Sequence, residues 1–101
     1  LEPNQLDKSI HPFRQGGYKM VKTIYNNDYL DLLLLLRRKR LDAGLSQKEL
    51  AKRLNVKRSF VGKTERGERR VDVLELRAIC QALGIGFIEF ITEFDERLER
   101  R

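Results

Sequence analysis

From Asp28 onward, apolar residues recur at helical spacing, and no stretch alternates apolar and polar positions long enough for a useful strand. The first helix is predicted over about residues 28–43. Asn26, Asn27 and Asp28 offer N-cap oxygens, and Gly44 ends the helix as a left-handed residue. Ser46 is the N-cap of a second helix, and Glu49, three residues on, completes a capping box. That helix ends near Leu54, where Asn55 follows as the non-glycine residue that best accepts positive φ. A third helix is predicted over about residues 57–66, stopping at Gly67. The polar loop Glu68-Arg69-Arg70 then leads to Asp72, the cap of a fourth helix that runs to Leu83. Gly84 and Gly86 break the chain again, and a fifth helix starts at about Phe87. The pattern is all-α, five helices, without an internal repeat.

Residues 1–27 carry no such period. Pro3, Pro12, Gly16 and Gly17 punctuate them, and they read as a loose N-terminal arm ahead of a domain over residues 28–101. One detail stands out within the arm. Back-translation of Gln15-Gly16-Gly17 produces a bacterial ribosome-binding sequence, and Tyr18-Lys19 supplies the spacer before Met20. Residues 1–19 are therefore expected to be translated leader, with Met20 the native start. Intact mass from the native host tests this.

The chain has 101 residues, one domain's worth. Its formal net charge is +6, and 36% of its residues are charged. The distribution says more than the total. Residues 35–70 hold thirteen Lys/Arg against four Asp/Glu, whereas residues 71–101 hold four against seven. One central segment carries the positive field, as a phosphate-facing surface requires. The apolar run at residues 32–36 is far short of the roughly 20 residues that a membrane span needs, and no signal peptide is visible. Cys80 is the single cysteine, so no intrachain disulfide can form, and no Cys/His spacing suggests a metal. Cys80 falls among Leu76, Ile79 and Leu83 and is read as core; His11 has no ligand partner and no assigned role.

The central helices form a constellation. Leu50, Leu54, Val56 and Val61 are predicted to face inward, and Ala51 is small enough for two helices to approach closely. Asn55 falls where the turn needs a left-handed residue. Here the chain resembles the phage-repressor and Cro-like helix-turn-helix family of XRE type. The resemblance rests on Leu36-Arg37 and Arg40, the run Gly44-Leu45-Ser46-Gln47-Lys48-Glu49-Leu50-Ala51, then Val56, Ser59, Val61, Glu65-Arg66-Gly67 and Ala82-Leu83-Gly84. It implies a five-helix, lambda-repressor-like DNA-binding domain whose third helix enters the major groove. Two residues depart from the family pattern. Asn55 stands for a usual Gly, and Thr64 for a large apolar residue, which thins the packing of the third helix. Gly62 lowers its helix propensity by up to about 1 kcal/mol. This helix is expected to be less stable than its relatives' and fully ordered only on DNA.

The resemblance assigns roles. Gln47, with Lys48 beside it, meets the DNA from the start of the second helix. Arg58 and Ser59 begin the third helix, where side chains reach base edges, and Gly62, Lys63 and Arg66 continue that face. Arg58 suits bidentate readout of guanine, worth about 1–3 kcal/mol of discrimination. Lys57, Arg69 and Arg70 are read as phosphate contacts, which position without specifying. Arg40 and Glu65 match a structural salt bridge between the first and third helices. In the fifth helix, Phe87, Ile91, Phe94 and Leu98 recur in 4-3-4 spacing, with Ile88 and Phe90 beside them, and are read as a homodimer interface.

The resulting expectation is a sequence-specific binder of double-stranded DNA in a bacterial cytoplasm, a transcription regulator acting as a repressor. No cofactor, small-molecule ligand, metal or membrane partner is expected. The same fold also serves antitoxins and restriction-modification controllers. A protein-interaction module with a vestigial DNA face is the contrasting class, and it would lack base-reading side chains. No nucleophile–base pair, carboxylate pair or phosphate loop points to an enzyme.

Overall fold

A computed structural model describes residues 27–100. Residues 1–26, which hold the expected leader and all of the expected arm but its last residue, and Arg101 lie outside the described residues, while Asn27, expected in the arm, opens the first helix. Five helices follow in order: α1 (Asn27–Asp42), α2 (Gln47–Leu54), α3 (Arg58–Glu65), α4 (Val73–Leu83) and α5 (Phe87–Glu99). Among the described residues there is no strand.

Chain reversal is built the same way four times. The N–H of Gly44 donates to the Leu41 carbonyl (2.9 Å), and that of Leu45 to the Arg40 carbonyl (3.2 Å). This is the double bond of a Schellman ending, and it needs a left-handed residue. Gly44 supplies it at φ +74°. After α2 the same pattern is closed by Asn55, at φ 58°, with Val56 N–H on the Ala51 carbonyl. Asparagine tolerates this region better than other residues with a Cβ, so the missing glycine is absorbed.

Helix starts differ from one another. Ser46 Oγ accepts from Glu49 N–H (3.0 Å) while Glu49 Oε1 accepts from Ser46 N–H (2.8 Å), the reciprocal box read from the sequence. Asp72 and Glu75 form a second such box before α4 (2.8 and 3.1 Å). By contrast, Lys57 before α3 and Gly86 before α5 make no side-chain cap bond.

The helices close a ring of neighbours: α1 against α3, α3 against α2, α2 against α4, α4 against α5, and α5 back against α1. Phe90, Leu35 and Cys80 are the most deeply buried large side chains at its centre. Burial pushes the Cys80 thiol up to about 11, as a low-dielectric surrounding disfavours thiolate. In the leucine run of α1, Leu32, Leu33, Leu35 and Leu36 enter the core, while Leu34 points outward at 57% exposure. Lys39 Nζ bridges α1 to Glu93 of α5 at 2.8 Å. Arg53 Nη1 donates to the Ala82 carbonyl (2.8 Å), tying α2 to the end of α4.

Three expectations need correcting. Helix α3 is one residue shorter at each end than predicted, with Lys57 as its N-cap and Arg66 as its C-cap. Val56, expected inward, is exposed. It edges a shallow groove with Leu54, Phe60 and Ala78, where no further element covers the turn. In α5 the fully buried residue is Phe90, not a member of the 4-3-4 stripe. Phe87, Ile91 and Phe94 pack half-buried against the protein's own core, so most of that stripe is used at home; Leu98 is half-buried further along.

Candidate nucleic-acid interface

The interface is built on how α3 is held. Arg40 reaches from α1 to Glu65 at the end of α3 through two parallel bonds, Nε to Oε2 (2.6 Å) and Nη2 to Oε1 (3.0 Å). Both side chains are only 7% exposed. Arg40 Nη1 also donates to the Leu45 carbonyl (2.8 Å), and Gln47 Nε2 donates to Glu65 Oε1 (3.0 Å). One buried carboxylate therefore joins α1, α2 and α3. A planar guanidinium suits this fork, which an ammonium could not reproduce.

A second clamp holds the other side. Arg69 donates to Glu75 through Nη1 (3.1 Å) and Nη2 (2.8 Å), and Nη1 also reaches Thr64 Oγ1 (3.2 Å). Its guanidinium carbon lies 4.1 Å from the centroid of the Phe60 ring. The hydrogen bond from Arg69 holds the Glu75 carboxyl below its usual range and raises Arg69. Tyr29 Oη donates to the Arg69 carbonyl (3.4 Å) and accepts from Val71 N–H (3.0 Å). Arg69, expected to contact phosphate, thus has its Nη donors turned inward, where they stitch α3 to α4.

Thr64 is buried, and its hydroxyl donates back to the Phe60 carbonyl at 2.7 Å. A void of about 10 Å³ lies beneath it, among Leu36, Leu50, Val61 and Ile79. Arg58–Glu65 is helical.

What α3 turns outward is basic. Arg58, Ser59 and Lys63 are exposed, as are Lys57 just before the helix, Lys48 on α2 and Arg70 in the following loop. Gly62 is buried between them. A Cβ there would lie 3.1 Å from Arg66 Nη1 and 3.4 Å from Gln47 Oε1, so its absence leaves room for both side chains. Gln47, Arg58, Ser59, Gly62 and Arg66 line a surface depression of about 240 Å³. Arg66 is exposed but paired with Glu68 (2.6 and 3.3 Å), whose carboxyl is lowered by that bond. The structure thus brings Gln47, Arg58, Ser59, Gly62 and Arg66 together around one depression, while Lys48, Lys57, Lys63 and Arg70 are exposed.

Some contributors escape a reading along the chain. The Asp72-x-x-Glu75 spacing signals the second capping box. Nothing local signals that Arg69 stacks on Phe60 or that Arg53 reaches Ala82. Among the described residues, no group of three or more His, Cys, Asp or Glu side chains is placed to hold a metal ion. No helix there is long and apolar enough to cross a membrane.

Comparison with known proteins agrees with this geometry. A family model described as helix-turn-helix matches residues 36–90. A protein of Sinorhizobium fredii (strain NBRC 101917 / NGR234), described as an uncharacterized HTH-type transcriptional regulator, is 36% identical over 59 residues, which cover 58% of this chain and 77% of the relative. Among solved structures, an XRE-family-like protein from Pseudomonas syringae pv. tomato DC3000 is 43% identical with a TM-score of 0.69, over 74% of this chain and 92% of its own. The wild-type restriction-modification controller protein C.Esp1396I has a TM-score of 0.69 at 20% identity, over 75% and 99% of the two chains, a likeness of fold alone.

Proposed function

The chain belongs to the XRE-type helix-turn-helix family of DNA-binding transcriptional regulators, and from that premise we propose that it is a repressor that occupies an operator with α3 in the major groove. One observation carries the reading. Arg58, Ser59 and Lys63 stand exposed on a helix whose back is held by the buried Arg40–Glu65 pair. Base-edge contacts need side chains presented at a fixed depth and angle, and this anchor supplies both.

Arg58 and Lys63 read bases, while Lys48, Lys57, Arg70 and Gln47 hold phosphates. Gln47 already donates one amide hydrogen to Glu65, which fixes its amide at the edge of the depression. The lack of a side-chain cap on α3 leaves its first turn open to a phosphate oxygen. A two-fold dimer would read half-sites about 34 Å apart. The protein acts in a bacterial cytoplasm and needs no cofactor for this role. A vestigial DNA face is disfavoured by the intact set of outward Arg, Ser and Lys.

Titration of the chain against DNA from around its own gene, at several salt concentrations, tests the proposal. A footprint over an inverted repeat, well above affinity for random DNA, is expected. Equal and steeply salt-dependent binding to every sequence would reduce the interface to a charge effect.

A further inference from the structure

The basic segment from Lys57 to Arg70 contains two acids, Glu65 and Glu68, and the fold treats them differently. Glu65 is withdrawn into the Arg40 fork, its side chain 7% exposed, whereas Glu68 stands at the surface at 53%. The turn after α3 does not require an acid at this position. The Glu68 N–H donates to the Lys63 carbonyl (2.9 Å), a bond that any residue with an amide hydrogen can make. The Glu68 side chain goes to Arg66, accepting from Nε (2.6 Å) and Nη2 (3.3 Å). That bond holds the Glu68 carboxyl below its usual range, and the charge of Lys63 adds to the effect. The third terminal nitrogen of Arg66, Nη1, lies over Gly62, where a Cβ would stand 3.1 Å from it. Arg66 therefore reaches the depression that it lines with Gln47, Arg58 and Ser59, while Glu68 grips it from outside that lining. A guanidinium is placed at the basic face with its charge cancelled on the spot.

We infer that Arg66 and Glu68 meet DNA as one neutral unit, so that Glu68 withholds one cation from the phosphates facing α3. A backbone phosphate carries a single charge, as a carboxylate does, so trading Glu68 for a phosphate brings Arg66 no gain in charge. The phosphate would also have to displace a two-bonded partner only two residues away in the chain. The displaced carboxylate would then face the phosphates unpaired. Binding that ignores sequence is driven by phosphate neutralisation, so an acid at this place lowers affinity for all DNA. Discrimination is then left to side chains that reach base edges, Arg58 and Lys63 in the proposed reading. Glu68 is thus a positioning residue that acts on DNA through Arg66. The inference rests on the reading of α3 as the DNA face and names a determinant of affinity within it.

The test uses the full chain, the variants E68Q and R66A/E68Q, and a duplex of random sequence, titrated between about 50 and about 200 mM salt. Glutamine keeps the shape of Glu68 and removes its charge. An exposed pair contributes little to stability, so both variants are expected to melt as the wild type does. In E68Q the freed Arg66 joins the phosphate contacts. The log–log salt slope should steepen by about 0.9, which makes the gain in affinity over wild type about 3.5-fold larger at the low-salt end than at the high-salt end. In R66A/E68Q the neutral unit is removed whole, and the slope should stay that of the wild type. An E68Q slope equal to the wild type's would overturn the inference, because Arg66 would already be on a phosphate in the wild-type complex. A double-variant slope flatter by about 0.9 would overturn it for the same reason. Failure of the operator reading shows separately, as equal affinity of the wild-type chain for operator and random DNA, whatever the slope of E68Q.

Discussion

Helices α2 and α3 differ from α1 and α5 in what they turn outward. The inward residues of both pairs are alike: Leu50 and Val61 on one side, Leu35 and Phe90 on the other, all buried. Outward, α3 shows Arg58, Ser59 and Lys63, whereas α1 and α5 show Leu34, Ile88 and a divided set of charges. The inner residues hold a fold common to proteins of low sequence identity. The outer ones separate a basic face on α3 from faces on α1 and α5 where apolar side chains reach solvent among charges of both signs.

This division can be broken most severely from within. Replacing Arg40 with Ala strands the Glu65 carboxylate in the core, and loss of one partner of a buried pair costs about 3–5 kcal/mol. Thermal unfolding is expected to shift down by many degrees, with operator binding falling alongside. Unchanged melting would show that α3 is held by other means. Replacing Arg58 with Ala tests the outer face instead. Melting stays as in the wild type, while discrimination at one base pair drops by about 1–3 kcal/mol. Uniform weakening on all sequences would assign Arg58 to phosphate.

A substitution at Lys57 sharpens the contrast, because it sits on both sides of it. Lys57→Ser supplies the missing cap of α3 and should stabilise the fold by about 1 kcal/mol in denaturant titration. The proposed phosphate contact of Lys57 predicts that the same change flattens the salt dependence of DNA binding by about 0.9 in log–log slope. Gain in both properties would count against Lys57 touching DNA.

The smallest effect is on pH. Glu75 and Glu49 have lowered folded values, through the hydrogen bonds of Arg69 and Ser46 respectively. Their contribution is present above the ordinary carboxylate value near 4.5 and is lost as pH falls through the lower folded values. Acid titration of Glu75→Gln should lose part of the wild-type slope in that window. An identical slope would remove Glu75 from the account.

Much of this was legible because it is local. Gly44, Asn55, Gly67 and Gly84 mark helix ends through bonds that span a few residues, and Ser46 with Glu49 marks a start in the same way. The pairing of Arg40 with Glu65 was expected from resemblance, and it spans 25 residues. Where the reading failed, the deciding contact was distant and had no family signature. Arg69 looks like a phosphate ligand in sequence, yet Phe60 and Glu75 claim it in space. Val56 satisfies an inward pattern, but nothing covers it. In α5 the apolar spacing admits several facing directions, and only the positions of α1 and α4 select Phe90.

Cys80 gives the core a clock. Its thiol is fully shielded, and its high pKa, about 11, leaves little thiolate at neutral pH. A thiol reagent can reach it only when the helices part around it. Because it is the chain's single cysteine, the rate of modification counts those openings directly. Opening rates measured with and without DNA would then tell whether occupying α3 quietens the whole bundle or only the face that touches the groove.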